Sequence, residues 1–429
     1  MTKFTFYFTI KGLDMKGIKK KIIKLLRWTQ KYTKTDMVYI VKGGFWLASG
    51  KGVLILISLA TTVAFANLLP VETFGTYQFI LAIVGFVSIT SLPGIGTALV
   101  RTIAKGKDGS LSLAYRTRVK WALWGSLALL LVSGWYFFNE NYILGSAFLI
   151  LAPIFPFKIT YGTTGNYWNG KKRFDVKMII KVLADAGIAG STIVALFLTN
   201  NVLVIVATFF GSTALFYSVA YLYTRGKTEN DETDEDMISL GKNLTLMGAI
   251  GNMTSSLDKI ILWKVLGPVQ VAIYTLSLKP IKKVKGFIPI SALALPKLSE
   301  NGVGTYKKKK SVLRKMGLLF LITIPSALVL VILAPFAYSI LFPQYMDSVP
   351  FFQALTFLFA MLPTTLLGDS LIAEMKTKYL YITKSAIPII KIVLFLILAP
   401  IYGIWGIVIS LISVSIIGAL LNLYFFWKM

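Results

Sequence analysis

Apolar runs of membrane-crossing length alternate along the chain with short polar breaks. MGLLFLITIPSALVLVILAPFAYSIL, residues 316–341, is one such run. About 20 apolar residues cross roughly 30 Å of hydrocarbon as a helix. The pattern predicts twelve spans, at roughly 40–69, 76–98, 119–138, 142–161, 177–199, 202–224, 239–266, 269–296, 316–341, 349–371, 379–400 and 403–427, with edges good to a few residues.

The punctuation between runs occurs twice. LLPVETFGTY, residues 68–77, joins the first two runs. LGPVQVAIYT, which opens the stretch from Leu266 to Pro280, joins the seventh and eighth. Pro turns and interfacial Tyr are common between membrane helices, so the match gains weight from its equivalent place in each half. Between the halves lies TENDETDED, 228–236, an acidic run that reads as a solvated linker rather than a regulatory site. It leaves six spans on either side. Six is even, so the halves share one orientation and are related by an axis along the membrane normal, a common way to build a transporter's central site. The expected fold class is an all-α polytopic membrane protein of about 12 transmembrane helices, in two six-helix bundles around a central cavity, a parallel-topology repeat. The expected divisions are a basic segment 1–37, a first bundle 38–226, an acidic linker 227–238 and a second bundle 239–429.

Charge sets the orientation. Alternate loops are basic: Lys16 through Lys42; Arg101, Lys105, Lys107, Arg116, Arg118 and Lys120; Lys171, Lys172, Arg173 and Lys177; Lys297, Lys307 to Lys310, Arg314 and Lys315; Lys376, Lys378 and Lys384. The turns between them, such as NENY and TNN, are short and nearly uncharged. Basic loops stay inside, so both termini are expected in the cytoplasm and the protein in the plasma or inner membrane. The segment before Met37 has no long apolar core and no cleavage site; its lysines around Ile18, Ile22, Leu25 and Leu26 read as an amphipathic helix on the inner leaflet. Either Met1 or Met15 can serve as the start.

Composition then narrows the chemistry. The chain is 56% hydrophobic, with 45 Lys plus Arg against 18 Asp plus Glu, and holds neither Cys nor His. Its mean hydropathy is +0.72. The net charge of +27 belongs to loops beside spans, so no nucleic-acid partner is expected. Thiolate chemistry and the usual metal ligand and proton shuttle are absent, and no cofactor or metal is expected.

Residues 41–106 resemble the opening of polysaccharide-biosynthesis membrane proteins, the O-antigen and teichoic-type lipid-linked oligosaccharide flippases of the multidrug/oligosaccharidyl-lipid/polysaccharide exporter superfamily. KGGFW, the P-x4-G-x-Y turn and GIGTALVR carry the likeness. LDKIILWKVLGPVQVAIYTLSLK and the following ALPKLSE resemble the same family's second half. Leu69 and Ala272 stand where its two turns usually have Gly. The resemblance covers about 40 to 300 and implies a flippase in which spans one, two, seven and eight frame the central cavity.

Charges inside spans are the candidate site residues, since each costs about 2.5–3.5 kcal/mol at a helix centre. Lys279, Lys282, Lys283 and Lys285 in span eight fall within about 160° of the helix circumference. Facing lipid, four would cost on the order of 10 kcal/mol, so they are expected to face water or an anion. Pro280 is expected to break the helix there. In span seven, Thr245, Asn252, Ser255, Ser256 and Lys259 form a polar stripe with Asp258 at its edge. Interhelical hydrogen bonding is the competing use of those hydroxyls. Lys51 lies about nine residues, or roughly 13 Å, in from Lys42. Arg101 ends span two, where an ordinary positive-inside role is equally open.

This lining suits an anionic substrate, and the resemblance implies a polyprenyl diphosphate oligosaccharide moved outward by alternating access for cell-surface polysaccharide biosynthesis. Substrate binding is expected at Lys51, Arg101, Asn252, Ser255, Lys259, Lys279, Lys282, Lys283 and Lys285, and ion coupling at Asp258 and Asp185. Expected partners are the lipid-linked glycan, membrane lipids and, alongside, a polymerase and glycosyltransferases, with the protein itself a monomer. A glycan polymerase or glycosyltransferase is the rival from enzyme chemistry; no acid pair sits at one membrane face with catalytic spacing. A multidrug exporter of the same superfamily needs acids in its first spans, where this chain has none. A peptidoglycan-precursor flippase usually adds two further spans.

Overall fold

The structure is a computed structural model describing residues 37–429 apart from 159, 289 and 302. The basic amphipathic segment and the choice of start lie outside the described residues. Secondary structure among the described residues is entirely helical: α1 Met37–Leu68, α2 Val71–Val87, α3 Gly94–Ala104, α4 Ser110–Phe138, α5 Tyr142–Lys158, α6 Thr160–Gly170, α7 Phe174–Leu198, α8 Val202–Arg225, α9 Asp236–Leu266, α10 Pro268–Phe287, α11 Ile290–Asn301, α12 Tyr306–Leu341, α13 Val349–Leu355, α14 Phe357–Ala360, α15 Thr365–Ala373, α16 Thr377–Tyr402 and α17 Ile404–Lys428. Hydrocarbon offers the backbone no partners, so a spanning segment closes its hydrogen bonds within itself.

Ten helical stretches among the described residues are long and apolar enough to cross a membrane. They present bare apolar side chains outward, with Leu131, Phe197, Leu321 and Ile332 about 70% exposed or more, as lipid-facing surfaces do. The protein is an all-helical, multi-pass membrane protein. The charged and polar residues of α9 and α10 keep these two long helices out of the ten.

Several edges differ from those the hydropathy predicts. α4 starts at Ser110 and α12 at Tyr306, so the lysine run 307–315 is helical rather than loop. The second rod is interrupted by a 3-10 turn over Ser88–Ser91 and by left-handed Leu92 ahead of Pro93. The eighth breaks at Ile288, whose extended backbone (φ −100°, ψ 94°) is what a following proline imposes. Pro280 does not break the helix as expected; α10 runs through it. The carbonyl that a proline leaves unpaired four residues back is Leu276 O, and the Tyr338 hydroxyl donates to it at 2.9 Å.

α9 packs against α2 and α3, α10 against α2, α1 against α7, and α16 against both α17 and α9. At the end of the two Pro turns the contacts are tight. Phe79 stacks on Trp263 with centroids 4.3 Å apart, Phe74 meets the edge of Tyr345, and Asn67 Nδ2 donates to Leu341 O at 2.9 Å. At the opposite end, α3 and α9 cross where Gly94 faces Gly241 and Thr245; small residues permit that approach.

The acidic run is mostly exposed, as a solvated linker would be, but its start is docked. Fully buried Asp108 accepts from Tyr167 Oη and the Glu229 backbone N–H, both at 3.0 Å, and pairs with Lys171 at 2.8 Å. Asn230 Oδ1 accepts from the Asp108 N–H and its Nδ2 donates to Gly106 O. Partial burial disfavours the charged Lys171, but its bonds to Asp108 and Glu229 outweigh that and raise its pKa above the ordinary lysine value. Beyond the clasp, Met237 is buried and Leu240 partly buried among Ile95, Leu99 and Tyr221.

Candidate functional site

α1, α2, α5, α7 and α8 enclose a cavity of ≈ 380 Å³, with Lys279 of α10 entering from the other side. Its helices are held apart by aromatic packing: Tyr77 stacks on Phe65 at 4.5 Å and takes the edge of Phe209. Three lysines converge on it, Lys158, Lys181 and Lys279, against one acid, Asp185. Asp185 is held on both oxygens. Lys181 Nζ pairs with Oδ2 at 3.0 Å, and the Tyr217 hydroxyl donates to Oδ1. Lys158 Nζ sits 4.8 Å from the Phe210 ring centroid and Lys279 Nζ 5.7 Å from that of Phe74, which partly compensates their lost hydration.

The hydroxyls of the wall are committed in one direction. Thr61, Thr62, Thr192 and Thr213 each donate to their own helix, to the carbonyls of Ile57, Ser58, Ile188 and Phe209. What they keep for the cavity is acceptor capacity. The lysines supply donors and charge. The cavity can therefore bind anionic oxygens and accept from hydroxyls or amides.

A second basic group surrounds the α9–α10 hairpin. Lys259 Nζ donates to Oε1 of fully buried Gln78 at 3.2 Å. Lys279 lies within charge range of Lys259 and Lys283, and Lys283 of Lys181 and Asp185. Lys282 faces Lys259, Lys285 and Lys391. Lys391 of α16 donates to Thr254 O at 3.2 Å and caps the Phe395 ring at 5.1 Å. Asp258 is 2% exposed and accepts from Tyr274 Oη at 2.7 Å.

Of the residues singled out in the sequence, Lys279 and Asp185 line the cavity, Lys283 is beside it, and Lys259 reaches α2 through Gln78. Lys282 is exposed and Lys285 half-buried, on the flank towards Lys391. Asp258 is turned away, into the α9–α10 contact. Lys51 is exposed near Lys177. Arg101 is exposed in the last turn of α3. Asn252 and Ser255 are exposed, with Ser255 Oγ bonded to Asn252 O at 2.6 Å. Thr245 is spent on packing: it takes the Gly94 N–H at 3.0 Å. Arg118, grouped above with basic loops, is buried and donates to Ser91 O and Thr163 Oγ1, both at 3.1 Å. Sequence reading missed Lys158, Lys181, Lys391, Gln78 and Tyr217. The cost of an intramembrane lysine signals the first three as plainly as it signals Lys279. Among the described residues no three acidic side chains gather to hold a metal ion.

Comparison with known proteins agrees with this architecture. A family model described as polysaccharide biosynthesis protein matches residues 40–301. A putative O-antigen transporter of Shigella flexneri is 24% identical over 310 residues, 67% of this chain and 72% of that protein. The lipid II flippase MurJ, in an inward closed conformation, superposes with a TM-score of 0.70 at 15% identity, covering 90% of this chain and 87% of that one. An outward-facing multidrug resistance MATE family transporter of the MOP superfamily gives 0.64 at 14% identity, covering 91% and 94%. These structural likenesses establish a shared fold. With the family match spanning more than half its length, the chain belongs to the polysaccharide biosynthesis protein family of membrane transporters.

Proposed function

We propose that the protein is a flippase that carries a polyprenyl diphosphate oligosaccharide from the cytoplasmic to the outer leaflet. The observation that carries this reading is the convergence of Lys158, Lys181 and Lys279 on one membrane-depth cavity that holds a single acid. A diphosphate pairs with such lysines in a low-dielectric site, sugar hydroxyls donate to the threonine wall, and the polyprenyl tail stays in lipid. The relative in Shigella flexneri, described as a putative O-antigen transporter, supports the same substrate class.

In this reading α9 and α10 cross the membrane beside the ten apolar stretches. That gives twelve crossings in two halves of six, divided near the acidic linker, with both termini and the clasp in the cytoplasm of a plasma or inner membrane. The two Pro turns close the outer side. The halves rock about the cavity, and the membrane potential favours outward movement of negative charge by about 2.3 kcal/mol per charge per 100 mV. Asp185, in the cavity between Lys181 and Tyr217, is the group best placed to exchange partners with substrate or a coupling cation. A multidrug exporter, the alternative within the superfamily, is disfavoured by the sign of the cavity, and a glycan polymerase by the lack of paired acids.

Native mass spectrometry of the purified protein tests the proposal. A co-purifying polyprenyl diphosphate oligosaccharide, lost in Lys279→Gln, is expected. Phospholipid alone, unchanged in that variant, overturns it.

A further inference from the structure

A second cavity of ≈ 150 Å³ lies between α6 and α7 and shares Lys181 and Tyr217 with the main one. A void of that size admits one six-membered ring. Its α6 wall combines bare backbone at Gly162 and Gly165 with the side chains of Thr164, Asn166 and Trp168. Thr164 lines it at 2% exposure, and its Oγ has no hydrogen-bond partner among the described residues. An unpartnered hydroxyl at that depth is costly and marks a place where a ligand's polar group fits. Lys177 completes the lining. Among the described residues it bonds to neutral Asn169, at 2.8 Å, and forms none of the ion pairs found there. Its charged neighbours, Lys51 and Lys181, repel it.

The charge here exceeds what one diphosphate needs. Lys158, Lys181 and Lys279 already converge on the main cavity, while Lys177 lines only the smaller one. We infer that the α6–α7 cavity is a glycan subsite that takes a sugar ring bearing its own negative charge, a uronate carboxylate or a phosphate or sulfate substituent. Lys177 binds the anion and Thr164 a ring hydroxyl. This rests on the flippase reading and adds that the transported glycan is acidic.

Calorimetric titration of the purified full-length protein with methyl glucuronide and methyl glucoside, which differ only at C6, a carboxylate in one and a hydroxymethyl in the other, tests it; farnesyl diphosphate reports the lysines of the main cavity. The glucuronide is expected to bind at least ten-fold tighter than the glucoside. Lys177→Gln should abolish that preference and Thr164→Val should weaken both sugars, with farnesyl diphosphate still bound. Equal binding of the two sugars, or a preference that survives Lys177→Gln, overturns the subsite. Phosphatidylglycerol binding that needs Lys177, with no glucuronide binding, assigns the cavity to lipid headgroups and also overturns it. Loss of farnesyl diphosphate binding in the unaltered protein counts instead against the flippase reading.

Discussion

Gly75 of the first hairpin lies flat on the carbonyl of Pro268 at the start of the second, so close that a Cβ on Gly75 would overlap it. With Asn67 bonded to Leu341 O and Phe74 set against Tyr345, this contact seals one end of the molecule. Gly75→Leu should wedge that seal apart. The chain has no cysteine, so Ser58→Cys in the cavity wall provides a unique label. An impermeant thiol reagent added outside should modify Ser58→Cys rapidly in the Gly75→Leu protein and slowly without it. Equal labelling would show that the hairpin contact does not gate access.

Tyr338 and Pro280 should prove coupled. Tyr338→Phe strands the Leu276 carbonyl and is expected to cost about 1–3 kcal/mol. In a Pro280→Ala background the helix regains its own bond to that carbonyl, and the cost should shrink to a few tenths of a kcal/mol by thermal unfolding in detergent. Additive effects would refute the pairing.

The two candidate coupling acids should behave differently. Asp185→Asn is expected to flatten the response of transport in proteoliposomes to imposed proton and sodium gradients, because Asp185 lines the cavity. Asp258→Asn should keep that response and lower thermal stability instead, because Asp258 is shut in against Tyr274. The reverse pattern would move coupling to the α9–α10 contact.

The linker clasp predicts a protease phenotype. Asp108→Ala leaves Tyr167, Lys171 and the Glu229 N–H without their shared acceptor, at about 1.5–3 kcal/mol per charged bond. A glutamate-specific protease should cut 228–236 in this variant and spare the unaltered chain at pH 8. The raised Lys171 pKa keeps that lysine charged throughout the neutral range. Its contribution is complete below the ordinary lysine value of about 10.4 and is lost as pH rises through the higher folded value, so cleavage should increase only on the alkaline side.

Much of this was legible in residue pattern. Hydropathy located the rods because lipid enforces length and internal hydrogen bonding, and the two matching turns, at Pro70 and Pro268, lie against each other at Gly75. Lys279 was legible because a membrane-depth lysine must be compensated. What escaped depends on partners distant in sequence. Nothing local to Pro280 announces Tyr338, whose hydroxyl keeps the helix whole and leaves the break to Ile288. Asp258 and Asp185 look alike as intramembrane acids, yet Tyr274 shuts one away and Tyr217 holds the other in the cavity. TENDETDED is mostly exposed, and nothing in it announces its docking on Asp108, 121 residues before Glu229.

The clasp and the placing of Met237 together make the connection from α8 to α9 a shaft rather than a tether. The covalent join falls at the acidic run, but the first turn of α9 is already anchored in packing with Ile95 and Leu99. Any swing of the later helices has to be taken up as bending within α9 itself. Gly251, beside which a Cβ would meet nothing within 4 Å, offers least resistance. In the proposed rocking cycle a chain severed in the linker should stay assembled and transport in proteoliposomes, whereas stiffening α9 at Gly251 should stop transport and leave ligand binding intact.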